Sequence, residues 1–260
     1  MAILRFPQVI SKSLGLRKDD VALNAMPLFH IDGLSANLLA SLAAGASVMC
    51  SSRFDASEFV DILTSPNELR PTWYSAVPAM HAAIHQLAEK ASFQSSLRFI
   101  RSGGVAMPRD FSLKLEKAFK CPFIPTYSMT EQMPISQPPL GYNILRNKPN
   151  SVGMPVCTSV CIVDKNLRPV PYEKSFGGFN NTRPITGEIC ISGSMVIEGY
   201  AANSEANGDS FFHIGGMVIE GCAAADPEAY ADSFFYMGGM QWFRTGDTVR
   251  ALMVLGLRRW

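Results

Sequence analysis

The chain has 260 residues, 47% hydrophobic and 17% charged, with a net charge of +1. That composition excludes a disordered polymer and allows one large domain or two modest ones with a substantial core. A charge so close to zero gives no reason to expect a nucleic acid or an anionic membrane as partner. No apolar run reaches the roughly 18 residues of a membrane span, so no transmembrane segment is expected.

Taken in chain order, "VALNAMPLF" at 21–29 reads as a strand covered on both faces, because it is apolar without alternation. "LSANLLASLAAGA" at 34–46 predicts a helix ending at Gly45. A short strand "SVMC" and a helix "DASEFVDILTS" follow, the helix capped by Asp55 or Ser57. "PTWYSAVPAMHAAIHQLAEKA" gives a strand, a proline turn and a helix. "LRFIRSGG" is a strand running into paired glycines, "PRDFSLKLEKAFK" a helix, and "PFIPTYS" again a strand. Such alternation predicts an α/β layered unit with a largely parallel sheet, over residues 1–147.

From about residue 148 the texture changes to short alternating strands, and helices vanish. Residues 148–260 are expected to form a small antiparallel β subdomain on an incomplete layered α/β domain. This part carries a tandem duplication at 194–239: "SMVIEGYAANSEANGDSFFHIGG" aligns with "GMVIEGCAAADPEAYADSFFYMGG" across one gap at Pro227. Two copies cannot build a stacked solenoid. One copy is therefore expected to hold the native position while the other bulges out as a loop, with deletion of 194–215 tolerated.

Six cysteines (50, 121, 157, 161, 190 and 222) form no CxxC pair and lie in apolar surroundings. They read as buried reduced thiols, hence a reducing, cytoplasmic compartment. The N-terminus lacks the long apolar core of a secretory signal.

The stretch "CPFIPTYSMTEQMPISQPPL" at 121–140 holds one charge, Glu131, beside Thr130. Open α/β sheets place their ligands at the carboxyl ends of their strands, where this stretch falls. Thr130 offers a hydroxyl to a phosphate oxygen, and Glu131 a hard oxygen to Mg²⁺. The same pair fits a threonine cap and a solvated glutamate opening a helix equally well.

"YSMTE" at 127–131 resembles the Tyr-x-Met-Thr-Glu signature of the adenylate-forming (AMP-binding) superfamily, which includes acyl-CoA synthetases. Other motifs are similar to that superfamily's in the same order: "MPLFHIDGL" (26–34), "YSAVPAM" (74–80), "LRFIRSGGVAMP" (97–108), "KPNSVGMPV" (148–156), "GEICISG" (187–193) and "WFRTGD" (242–247). The resemblance spans roughly residues 13–247 and looks nearest to synthetases acting on small carboxylic acids, the oxalate-type ligases among them.

The resemblance implies ATP or AMP, Mg²⁺ and coenzyme A as cofactors and a small-molecule carboxylate as substrate. It implies that Thr130 contacts the α-phosphate, that Glu131 holds the metal, and that Asp247 accepts hydrogen bonds from the ribose. Gly103, Gly104, Val105 and Ala106 would lie along the adenine, Tyr127 would stack on it, and His30 would sit on the acyl and pantetheine side. A peroxisomal address is also known in the superfamily, though no targeting signal is seen. A Rossmann-type dinucleotide site is disfavoured, since no G-x-G-x-x-G follows a strand.

The superfamily also carries a Ser/Thr/Gly-rich phosphate loop upstream and a lysine-bearing domain downstream, and neither pattern is recognisable here. The expectation is a chain truncated at both ends and weak or inactive alone, with a non-catalytic nucleotide-binding or interaction module as the alternative. Strands stripped from the sheet would leave an edge favouring self-association.

Overall fold

The computed structural model describes residues 5–65, 70–89, 95–170, 186–214, 217–221, 234–236 and 240–250. The fold is mixed α/β. Five parallel strands, β1 (Val21–Asn24), β2 (Ser47–Cys50), β3 (Trp73–Ala76), β4 (Phe99–Ser102) and β5 (Phe123–Pro125), form a sheet in the order β2-β1-β3-β4-β5. Successive strand residues point to opposite faces. Thus Leu23, Tyr74, Ile100 and Phe123 enter one core, and Ala22, Trp73, Phe99 and Ile124 enter the other.

Helices cover both faces, which is why the strands are apolar without alternation. On one side Phe59 and Leu63 of α3 (Ala56–Thr64), Ile84 of α4 (Pro78–Ala88) and Leu115 and Phe119 of α5 (Arg109–Phe119) pack on the sheet. On the other lie Phe6 and Ile10 of α1 (Phe6–Ser13), one helical turn apart, with Leu14 just beyond. Asp55 caps α3, its carboxylate accepting from the Ser57 and Glu58 amides.

The helix expected at 34–46 begins earlier and is wider than an α-helix: a π-helical segment, Asp32–Leu39, continues as α2 (Ala40–Ala43). It packs closely on the end of β1. A Cβ on Gly33 would come within 2.3 Å of the Pro27 carbonyl oxygen, so only glycine fits there.

After Pro125 the chain leaves the parallel sheet, so "PFIPTYS" is not one strand. β6 (Tyr127–Met129) and β7 (Gln132–Gln137) form an antiparallel hairpin, and β8 (Met154–Pro155) pairs with β7 from beyond the 147/148 division. The expected antiparallel β-rich part is a six-stranded sheet of β9 (Thr158–Val163), β10 (Thr186–Ser192), β11 (Phe211–Ile214), β12 (Met217–Gly221), β13 (Phe234–Tyr236) and β14 (Met240–Arg250). Its order is β11-β14-β10-β9-β12-β13. Helices do not vanish from it, for Ser204–Ser210 is helical.

The duplication behaves differently from expectation. Both copies contribute strands, at opposite edges of one sheet. "MVIEG" at 217–221 is β12, paired with β9 through Ile219 and Val160, whereas the identical "MVIEG" at 195–199 forms no strand. Instead Met195 is buried in the core under the parallel sheet, and Val196 and Tyr200 pack around Val160, Ile191 and Phe243. The first copy therefore holds internal contacts that the deletion argument had left to the second.

Cys121, Cys161 and Cys190 are buried free thiols, as expected. Cys50 corrects the pattern by lying exposed on edge strand β2, and Cys157 is half-buried. Cys222 lies outside the described residues. No helix among the described residues is long and apolar enough to cross a membrane.

Candidate functional site

The site is built from the carboxyl ends of β1, β3 and β4. Arg101 on β4 is fully buried, and its Nη1 donates to Asp32 Oδ1 at 2.8 Å and to Ser75 Oγ at 2.7 Å. A guanidinium so placed needs a carboxylate partner. This one ties the start of the π-helical segment to β3 and β4. Two residues on, the Gly103 amide donates to the Ala76 carbonyl at 3.3 Å, and Gly104 adopts φ +84°, which favours glycine. Gly103 is buried over the ion pair, while Gly104, Val105 and Ala106 are exposed, Val105 at 71%.

His30 is exposed beside Phe29, itself 95% exposed. The Asp32 amide donates to His30 Nδ1 at 3.2 Å, which leaves the ring proton on Nε2, pointing away from that contact.

The Thr126 amide donates to the Ser102 carbonyl at 2.8 Å, bringing the β6–β7 hairpin beside the β4 turn. Thr130 and Glu131 form the hairpin tip between Met129 and Gln132, and do not open a helix. Thr130 is exposed. Glu131 is half-buried, its backbone carbonyl accepting from the Ile197 amide at 3.1 Å and its Oε1 from the Tyr200 hydroxyl at 2.7 Å. Burial, then the bond to Glu131, pushes the Tyr200 phenol up to about 12, so the tyrosine remains the donor.

Asp247 arrives from β14. The β10–β14 ladder shifts register between Glu188 and Cys190. Such a bulge re-aims a side chain. Arg244 grips Glu188 with Nη2 at 2.7 Å and Nε at 3.1 Å, and Gly246 turns at φ +74°. The Thr245 hydroxyl bonds the Ile189 carbonyl at 2.9 Å and accepts from the Asp247 amide at 3.2 Å. The exposed Asp247 carboxylate then receives the Tyr127 hydroxyl on Oδ2 at 2.5 Å. Burial first, and this bond second, raise the Tyr127 phenol well above its ordinary value.

Among the sequence-derived candidates, Tyr127 and Asp247 are thus directly joined, with Glu131 and Thr130 at the tip of the same hairpin. Tyr127 and Tyr200 pack against one apolar cluster with Phe243. Gly103 to Ala106 adjoin them through the Ser102–Thr126 bond. His30 stands apart, linked through Asp32 and Arg101 and making no hydrogen bond to Tyr127, Glu131 or Asp247 among the described residues.

Sequence reasoning missed Arg101, Asp32, Tyr200 and Asn207. Arg101 carried a usable signal, as a charge inside an otherwise apolar buried strand. Tyr200 did too, because the two copies differ there, with Cys222 in the second.

The donor set at the hairpin tip suits Mg²⁺, which takes one or two carboxylates and completes its shell with waters and phosphate oxygens. Glu131 meets this need, since Oε2 makes no hydrogen bond among the described residues. No three His, Cys, Asp or Glu side chains that could hold a metal ion converge among those residues.

A family model described as AMP-binding enzyme matches residues 3–201. An oxalate–CoA ligase of Arabidopsis thaliana is 36% identical over 210 residues, covering 77% of this chain and 38% of its own length. Among solved structures, apo MatB from Rhodopseudomonas palustris superposes with a TM-score of 0.70 at 20% identity, over 96% of this chain and 41% of that one. The O-succinylbenzoate coenzyme A synthetase of Bacillus subtilis, solved with ATP and magnesium ion, gives 0.67 at 25% identity, over 95% of this chain and 42% of its own. The chain therefore spans about two fifths of the length of the proteins it matches.

Proposed function

The chain belongs to the AMP-binding enzyme family, and from that premise we propose that it supplies the nucleotide side of an ATP-dependent acyl-CoA synthetase acting on a small carboxylate. In that reaction the substrate carboxylate attacks the α-phosphorus of ATP, pyrophosphate leaves, and the acyl-AMP passes its acyl group to the thiol of coenzyme A. The observation that carries the reading is the convergence of Tyr127, Glu131 and Asp247 beside the β4 glycine turn.

Asp247 is suited to receive both hydroxyls of a ribose in charge-assisted hydrogen bonds. Tyr127, held by its own hydroxyl, offers a ring face to the adenine, and the bare backbone at Gly103 and Gly104 allows close approach. Thr130 is placed to donate to an α-phosphate oxygen, and Glu131 to hold Mg²⁺. A bound Mg²⁺ would neutralise charge developing on the phosphates. His30, with its proton on Nε2, presents a donor on the acyl side.

No Ser/Thr/Gly-rich loop ending in Pro-Lys-Gly occurs in the 260 residues. Each missing donor to a developing oxyanion costs about 2.7–4 kcal/mol, so these residues assayed alone should form little acyl-CoA. The buried free thiols support a cytoplasmic setting, and edge strand β2 supports self-association.

Calorimetry of AMP and ATP binding to the chain and to Asp247→Ala tests the reading. Binding by the wild type and its loss in the variant are expected. Equal AMP affinity in both would remove Asp247 from the site and overturn the assignment.

A further inference from the structure

We propose that Tyr200 is a positioning residue that aims the Glu131 carboxylate at a divalent cation, and that only the first copy of the duplicated segment can provide it. This rests on the nucleotide-site reading above and adds a residue outside the motifs that led to it.

The support begins with how firmly Tyr200 is held. Both of its backbone polar groups are taken by one side chain: its amide donates to Asn207 Oδ1 at 2.7 Å, and Asn207 Nδ2 donates to its carbonyl at 2.9 Å. Asn207 sits in the Ser204–Ser210 helix, which Asn203 caps by accepting from the Ala206 amide. The Tyr200 ring meets Phe243 edge-on with centroids 6.5 Å apart. Its hydroxyl donates to Glu131 Oε1 at 2.7 Å. The Ile197 amide on the Glu131 carbonyl anchors the hairpin tip to the same segment.

A carboxylate at a hairpin tip has free rotamers unless something fixes them. One strong donor on Oε1 selects an orientation and leaves Oε2 for a cation. Outer-layer hydrogen bonds of this kind orient metal ligands and raise affinity.

The duplication supplies an independent argument. The two copies agree at fifteen of 23 aligned positions, so a random partner of Glu131 would usually be retained. The brace residues are not. Tyr200 aligns with Cys222, Asn203 with Ala225 and Asn207 with Tyr230. Met, Val, Ile, Glu and Gly are kept, and in the second copy those five form β12. Of the eight aligned pairs that differ, three are the side chains that reach Glu131 or hold the one that does.

The test is calorimetry on the full 260-residue chain, with ATP in the presence and absence of Mg²⁺ and with AMP free of metal. The variants are Tyr200→Phe, Tyr200→Cys, Asn207→Ala, Glu131→Gln and the Tyr200→Phe/Glu131→Gln pair, each checked by thermal unfolding. Mg²⁺ should tighten ATP binding to the wild type. Tyr200→Phe should cut that gain by about tenfold or more, the scale of outer-layer effects on metal affinity, with metal-free AMP affinity unchanged. Asn207→Ala and Tyr200→Cys should follow Tyr200→Phe, and Glu131→Gln should leave nothing more for the pair to lose.

An intact Mg²⁺ gain in Tyr200→Phe overturns the proposal. So does an equal fall of metal-free AMP and Mg²⁺-dependent ATP binding, which would mark a purely structural tyrosine. If the wild type binds AMP but shows no Mg²⁺ gain, this proposal fails while the nucleotide-site reading stands. If it binds neither nucleotide, both fall.

Discussion

The Tyr127 hydroxyl donates to Asp247 Oδ2 at 2.5 Å, joining two side chains 120 residues apart in the chain. The bond fixes the rotamer of an otherwise exposed carboxylate while leaving its second oxygen to accept from a ligand. Removing the hydroxyl in Tyr127→Phe should weaken AMP binding several-fold by loosening Asp247, since one net hydrogen bond is worth about 1 kcal/mol. Asp247→Ala should cost more, at least about tenfold, because two charge-assisted bonds to the ribose are lost. Isothermal titration of both variants gives the order, and a larger loss in Tyr127→Phe would mean that the hydroxyl serves the ligand by more than holding Asp247.

The buried Arg101–Asp32 pair is expected to act on stability. Asp32→Ala leaves the guanidinium buried with Ser75 as its one hydrogen-bond partner among the described residues, and breaking a buried pair from one side costs about 3–5 kcal/mol. The double variant Asp32→Ala/Arg101→Met should be less destabilised than Asp32→Ala alone, because the orphaned charge is gone. Urea unfolding decides, and a single variant within about 1 kcal/mol of wild type would show that water solvates Arg101.

Burial on α4 pulls His81 down from 6.5 to about 4, and Tyr74 Oη lies 3.3 Å from its Nδ1. Between those pH values the unfolded chain binds a proton that the folded chain refuses. The associated stability is complete above about 6.5 and is lost as pH falls toward 4, about 3 kcal/mol in all. His81→Gln should flatten this part of the profile. Unfolding at pH 4.5 and 7 in both proteins measures it, and identical slopes would show that His81 takes up its proton as readily in the fold as in the unfolded chain.

Deleting residues 194–215 should now destabilise the protein by at least about 3 kcal/mol, the scale of emptying a buried Met195-sized site, and should abolish any Mg²⁺-dependent ATP binding. An unchanged urea midpoint would show that Met217 and its neighbours refill the vacated place.

Much of this was legible in the chain. Strands such as "VALN" and "WYSA", largely apolar without alternation, require cover on both faces, and helical stretches between them supply it, so a parallel layered sheet follows from local pattern. The order of "MPLFHIDGL", "SGG", "YSMTE" and "RTGD" likewise carried the family and its candidate groups. The cap of α3 could be narrowed to Asp55 or Ser57 because capping is local, and the structure selects Asp55.

What tertiary structure alone decided is which side chains meet. Tyr200 on Glu131, Tyr127 on Asp247 and Arg101 on Asp32 join segments 69 or more residues apart, and nothing in neighbouring sequence encodes such distances. The two "MVIEG" segments make the point most sharply. Five identical residues form a strand in one place and none in the other, because the available partners differ: an open edge at β9 for the second copy, and Glu131, Asn207 and a buried pocket for the first.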